Sequence, residues 1–134
     1  SLVLSPNGTV DGDEGLAEAS GVMSWDLRAG LAVLSHAEPI QPRPTGEALT
    51  ALSWSFLAAG TPTLASSRWA PEGTATPRTD PLVRGFYREL LRPLRQGEER
   101  PSPAVALQRA ARRLVAAPAT RHPWHWARMM VVGY

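Results

Sequence analysis

The 134-residue sequence contains no cysteine. That absence excludes disulfides, a thiolate metal site and any thiol nucleophile in the chain as it stands, and it does not by itself identify a compartment. Lysine is absent too: all 14 basic side chains are arginine, so a pI near 9.9 accompanies a net charge of only +2. So small an excess is poor support for a polyanion partner. No apolar run approaches the length that crosses a bilayer. The opening residues, Ser1-Leu2-Val3-Leu4, lack an initiator Met and the basic flank and cleavage site of a signal peptide. The chain therefore reads as soluble, and its start as a cut inside a strand.

What is present fits one small globular domain, residues 1–134. With 43% hydrophobic and 19% charged residues it has the material for a single core, burying roughly two-thirds of its unfolded surface. Leu2 to Leu4 form a strand ended by Ser5-Pro6-Asn7-Gly8, and a short helix is expected over Leu16 to Met23. Leu31 to Ser35 reads as a buried strand. After the loop with Pro39, Pro42 and Pro44, the spacing of Leu49, Leu52, Phe56 and Leu57 predicts a helix over Gly46 to Ala59, with Gly60 as its stop. Thr63 to Ser66 is the next strand.

Two marked helices follow. Asp80-Pro81 supplies an N-cap and a first-turn proline for a stripe of Leu82, Val83, Phe86, Tyr87, Leu90 and Leu91, which Pro93 should terminate. Ser102-Pro103 repeats the device for Leu107, Ala110, Ala111, Leu114 and Val115, whose small residues suit close approach to a sheet, and Pro118 closes it. Met129 to Val132 is the last strand, ending at Gly133. Strands alternating with helices predict an α/β fold with a mostly parallel sheet, in which the strands at Leu31, Thr63 and Met129 are neighbours.

Chemistry-bearing residues collect where strands end. The apolar run to Leu34 is followed at once by Ser35, His36, Ala37 and Glu38, and the strand ending at Ser66 by Ser67, Arg68 and Trp69. The carboxyl edge of an open α/β sheet is where ligands and catalytic groups sit. Along a strand Ser35 and Ala37 share one face while His36 takes the other. Ser35 has no visible base and is read as a strand-end hydrogen-bonding residue. His122 and His125 have the separation of a metal pair, but there is no third ligand nearby and Pro123 prevents one regular helix from carrying both, so a His-Pro turn is the expectation and no metal. Arg84, Arg88, Arg92 and Arg95, and later Arg109, Arg112 and Arg113, lie at helical spacing and read as solvated faces.

In order, LAVLSHAE, the helix ALSWSFLAAG, the strand TPTLASSRW, LVRGFYRELLRPL, AVALQRAARRL and HPWHWARMMVVGY resemble the C-terminal part of a CHAT domain, the caspase-like cysteine peptidase domain often found beside tetratricopeptide repeats. The residues carrying the resemblance are Ser35 with Ala37, Ala58 to Gly60, Ser67 with Trp69, Phe86 with Tyr87, and His122, Pro123, Trp126 and Ala127. It implies a three-layer α/β/α caspase-like fold whose N-terminal part is missing from this chain. It also implies a Cys and His pair in which a thiolate attacks a peptide carbonyl. The family's Cys position here is Ala37, and the segment bearing its His lies upstream of Leu2 to Pro6. A methyl group forms no acyl-enzyme, so the chain is expected to be inactive as written.

The expected substrate cleft is lined by Ser35, Glu38, Ser67, Trp69 and Glu72, the last in a loop where an acidic residue would select a basic side chain. No cofactor or metal is expected. The expected partner is a peptide or protein, with the remainder of the peptidase or a repeat domain alongside, in the cytoplasm and away from membrane; nucleic acid is not expected. Three readings follow: a cysteine peptidase domain with its nucleophile replaced, a natural pseudopeptidase or regulatory protein-interaction module, and an Arg-rich nucleic-acid-binding α/β domain.

Overall fold

The structure is a computed structural model, and it describes residues 2–3, 16–17, 19–34, 46–69, 80–97 and 99–133. In chain order the elements are β1 (Leu2–Val3), β2 (Leu16–Ala17), α1 (Ala19–Met23), β3 (Ala32–Leu34), α2 (Gly46–Ala58), β4 (Thr63–Ser67), α3 (Pro81–Arg95), α4 (Pro103–Ala116), α5 (Pro123–Trp126) and β5 (Met129–Gly133). Among the described residues β3, β4 and β5 form one small, mostly parallel sheet in that order, so the three expected strands are neighbours and the fold is α/β. Central β4 is buried at all five positions, as a parallel strand covered on both faces should be.

By contact density the described residues fall into two compact units. One takes those of 1–32, 37–64 and 132–134, the other those of 33–36 and 65–131. In the first, α1 packs on α2, with Val22 fully buried and Phe56 6% exposed. Trp25 meets the Phe56 ring edge-on at 6.4 Å. The end of α2 is a Schellman motif: Thr61 N–H donates to Phe56 O at 3.1 Å and Gly60 N–H to Leu57 O at 3.2 Å. Gly60 therefore sits at φ 104°, and Leu27 N–H reaches back to Ala59 O at 2.8 Å. The expected glycine stop is thus a tertiary joint as well.

The core of the second unit is the α3–α4 pair, carrying Leu82, Val83, Phe86, Leu90, Ala106 and Ala110. A Cβ on Gly85 would stand 3.1 Å from Ala110 Cβ, so these small residues serve a helix–helix approach, not the sheet contact expected of α4. The buried stripe is correspondingly narrower than the sequence pattern. Tyr87 and Leu91 are exposed on α3, and on α4 Ala106 and Ala110 are buried while Val115 is exposed. A buried carboxylate, Glu89, meets Arg113 at 2.8 Å across the two helices, with Arg88 at 3.9 Å.

Three expectations about elements need correction. Leu16 and Ala17 form β2, paired antiparallel with β1 (Leu2 opposite Ala17, Val3 opposite Leu16), because backbone pairing outcompetes a short helix flanked by Gly15 and carrying Gly21. α1 begins only at Ala19. Pro93 does not end α3, which runs to Arg95 and is capped by Gln96. A proline so close to the C-terminus removes a single intrahelical bond, and Gly97 at φ 71° makes the turn. Of the two Arg faces, Arg84, Arg88, Arg92, Arg109, Arg112 and Arg113 are exposed as expected, and the side chain of Arg95 lies outside the described residues.

Two stability outcomes follow. Gly60→Ala brings a Cβ to 2.7 Å from Leu27 O at a positive φ, and should cost roughly 1–2 kcal/mol and lower the thermal midpoint by several degrees. Arg113→Met leaves Glu89 buried against Arg88 alone and should cost about 1–3 kcal/mol in urea unfolding, Arg113 being half in water. The double variant Glu89→Met with Arg113→Met should recover most of that loss.

Candidate functional site

β4 delivers its last residue, Ser67, buried at the strand's end, and Arg68 and Trp69 follow. The backbone of this edge is held by the lead-in to β5. Arg68 N–H donates to Arg128 O at 2.6 Å, and the Arg68 guanidinium donates to Ala127 O. Arg68 also lies over the Trp69 ring, 5.1 Å from its centroid. Trp69 is half-buried and stacks on Trp124, with ring centroids 5.6 Å apart and planes at 29°. Among the described residues the Trp69 indole N–H and the Ser66 hydroxyl, both buried, find no hydrogen-bond partner.

Behind that edge lies an ion pair. Arg128, 2% exposed, pairs with Asp80, 1% exposed. Asp80 is also the N-cap of α3: its Oδ1 accepts from Leu82 N–H at 2.8 Å and Val83 N–H at 3.2 Å, leaving Oδ2 for the guanidinium. The carboxylate thus receives the helix's free donors and a cation together. Burial pushes the Arg128 guanidinium below its ordinary pKa. It remains charged at neutral pH, because arginine starts so high. Its Nη1 lies 3.5 Å from Ser67 Oγ, a long and individually weak contact that nonetheless aims the fork at the end of β4.

The turn that presents Trp124 and Arg128 is built locally. His122 is the N-cap of α5 and its Nδ1 accepts from Trp124 N–H at 3.3 Å, with Pro123 at the first helical position. Ala127 N–H donates to Pro123 O at 2.8 Å, and Trp126 Nε1 donates to Arg121 O at 3.0 Å. His122 therefore acts in the His-Pro turn. Among the described residues no three His, Asp or Glu side chains gather in a way that could hold a metal ion.

Of the residues singled out from sequence, Ser67 and Trp69 stand together at the end of β4, beside β3 in strand order. Ser35, His36, Ala37, Glu38 and Glu72 lie outside the described residues. Sequence reasoning named Arg68 at the strand end without giving it a role, and it missed Trp124, Asp80 as an ion-pair partner, and Arg128. The last left a faint signal: a lone arginine against the apolar run Met129 to Val132 must either face water or be paired.

No helix among the described residues is long and apolar enough to cross a membrane. Neither a search of curated proteins nor one of solved structures found a match. A protein-family comparison does: the CHAT domain matches residues 1–134, the full length of the sequence. On that match, and with β3 and β4 adjacent in a small, mostly parallel sheet, the chain belongs to the CHAT domain family and is a caspase-like, peptidase-related domain.

Proposed function

We propose that this chain is the C-terminal part of a CHAT-type cysteine endopeptidase domain that binds peptide but does not cut it as written. One feature of the sequence supports the reading: in a chain matched by the family throughout, the residue that the resemblance aligns with the family's nucleophile is Ala37. Without a thiolate no acyl-enzyme forms, and the rate falls by several orders of magnitude when one member of such a pair is removed. Ground-state binding does not need the thiol. The peptide would lie where β3 and β4 end, along Ser35, Glu38, Ser67 and Trp69, with Glu72 available to a basic side chain. The same absence favours the second reading, a pseudopeptidase or regulatory module whose output is the bound partner, which here would be a peptide or protein, with the rest of a peptidase or a repeat domain as neighbour.

The nucleic-acid reading loses ground on three particulars. Arg113 is turned to Glu89, Arg68 to Ala127 and Trp69, and Arg128 to Asp80. Those cations already have intramolecular partners, which leaves less of a coherent basic surface for phosphates.

The chain should show only background cleavage of Arg- and Lys-containing peptides, and an Ala37→Cys variant should react with a peptidyl electrophile faster than with iodoacetamide. Arg88→Ala and Arg112→Ala should leave peptide binding nearly unchanged. Cleavage that Ser35→Ala abolishes, or a position-37 thiol indifferent to the peptide portion of the electrophile, would overturn the proposal.

A further inference from the structure

We infer that Arg128 is a positioning residue for the Ser67–Trp69 edge: paired with Asp80 through its guanidinium and bonded to Arg68 through its carbonyl, it fixes that edge against the turn that carries Trp124. The functional weight of this inference rests on the peptide-binding reading; its geometry does not. Ser67, Asp80 and Arg128 are far apart in sequence, the first and the last separated by 61 positions. They meet in one buried cluster in which Asp80 and Arg128 back Ser67, itself one of the residues proposed to face peptide.

The chemistry is more than stability requires. Two buried charges are costly to desolvate, and well-packed apolar residues of similar volume commonly hold a core as well or better. Apolar residues could fill the space where Asp80 meets Arg128. They could not offer a planar fork with one arm on the Asp80 carboxylate that caps α3 and the other toward Ser67 Oγ. The same residue's carbonyl receives Arg68 N–H at 2.6 Å, and the Arg68 guanidinium closes onto Ala127 O. Backbone and side chain of a single residue thereby register β4 against the segment 121–128. The Trp69–Trp124 stack is the visible consequence, and it provides an optical signature.

The test uses the full chain, with the exciton couplet of the stacked indoles in the far-ultraviolet circular dichroism as readout, assigned by its loss in Trp124→Phe. Asp80→Asn with Arg128→Met keeps an N-cap side chain and removes both charges. This double variant should fold with a thermal midpoint near that of the parent, yet lose most of the couplet and bind a fluorescein-labelled Arg-containing pentapeptide about tenfold more weakly. Arg128→Lys retains a charge for Asp80 but has no fork for Ser67, and should keep the midpoint while weakening the couplet. If the double variant fails to fold, the Lys variant decides. A couplet that survives in a folded variant lacking the fork overturns the inference. If the parent binds no peptide, the peptide-binding reading falls, while the couplet still decides the positioning role.

Discussion

Two charges taken out of water behind the end of β4 constrain the larger compact unit. An ion buried alone costs several kcal/mol, so Asp80 and Arg128, 1% and 2% exposed, hold each other in place. Asp80 cannot leave without uncapping α3, since its other oxygen accepts from Leu82 and Val83. Arg128 cannot leave without withdrawing the carbonyl that holds Arg68. The start of a helix, the end of a central strand and the start of the last strand are joined at one point. The α3–α4 contact, with Gly85 against Ala110 and Glu89 against Arg113, extends the order from that point along both helices.

What could be read from the sequence was what local chemistry decides. Asp80-Pro81 and Ser102-Pro103 open α3 and α4 because cap and first-turn proline act within one turn. Gly60 ends α2 because a Schellman turn needs the left-handed region. The apolar and small run Thr63 to Ser66 reads as a buried strand, and β4, Thr63–Ser67, is buried at every position. Two of the misses depend on distant partners. Leu16 and Ala17 became a strand because Leu2 and Val3 lie alongside. Ala106 displaced Leu107 and Val115 from the centre of the α4 stripe because α3 approaches closely enough at Gly85 to select the smallest side chains.

The candidate site divides along the same line. Ser67 and Trp69 were legible as strand-end residues, an address that topology assigns to the carboxyl edge. Their supports were not, because Trp124 and Arg128 arrive from the far end of the chain. Asp80 showed only its local half, the cap. A residue serving a helix terminus and a buried cation at once looks in sequence like any other N-cap, and the excess of arginine hid Arg128, the one buried among the described residues.

That supporting layer bears on what the proposed absence of the nucleophile would mean. Transition-state chemistry and ground-state binding draw on different atoms, so replacing a thiol by a methyl group removes the first and leaves the second largely intact. On the proposed reading, peptide affinity comes from the edge that Ser67, Arg68 and Trp69 present, and that edge is fixed by Arg128, Asp80 and Trp124, none of which requires position 37. A domain whose nucleophile is gone would drift if its binding edge had no separate means of support. Here the Asp80–Arg128 pair is buried and tied to a helix cap, so on that reading the geometry proposed to hold a peptide would persist independently of the capacity to cut it.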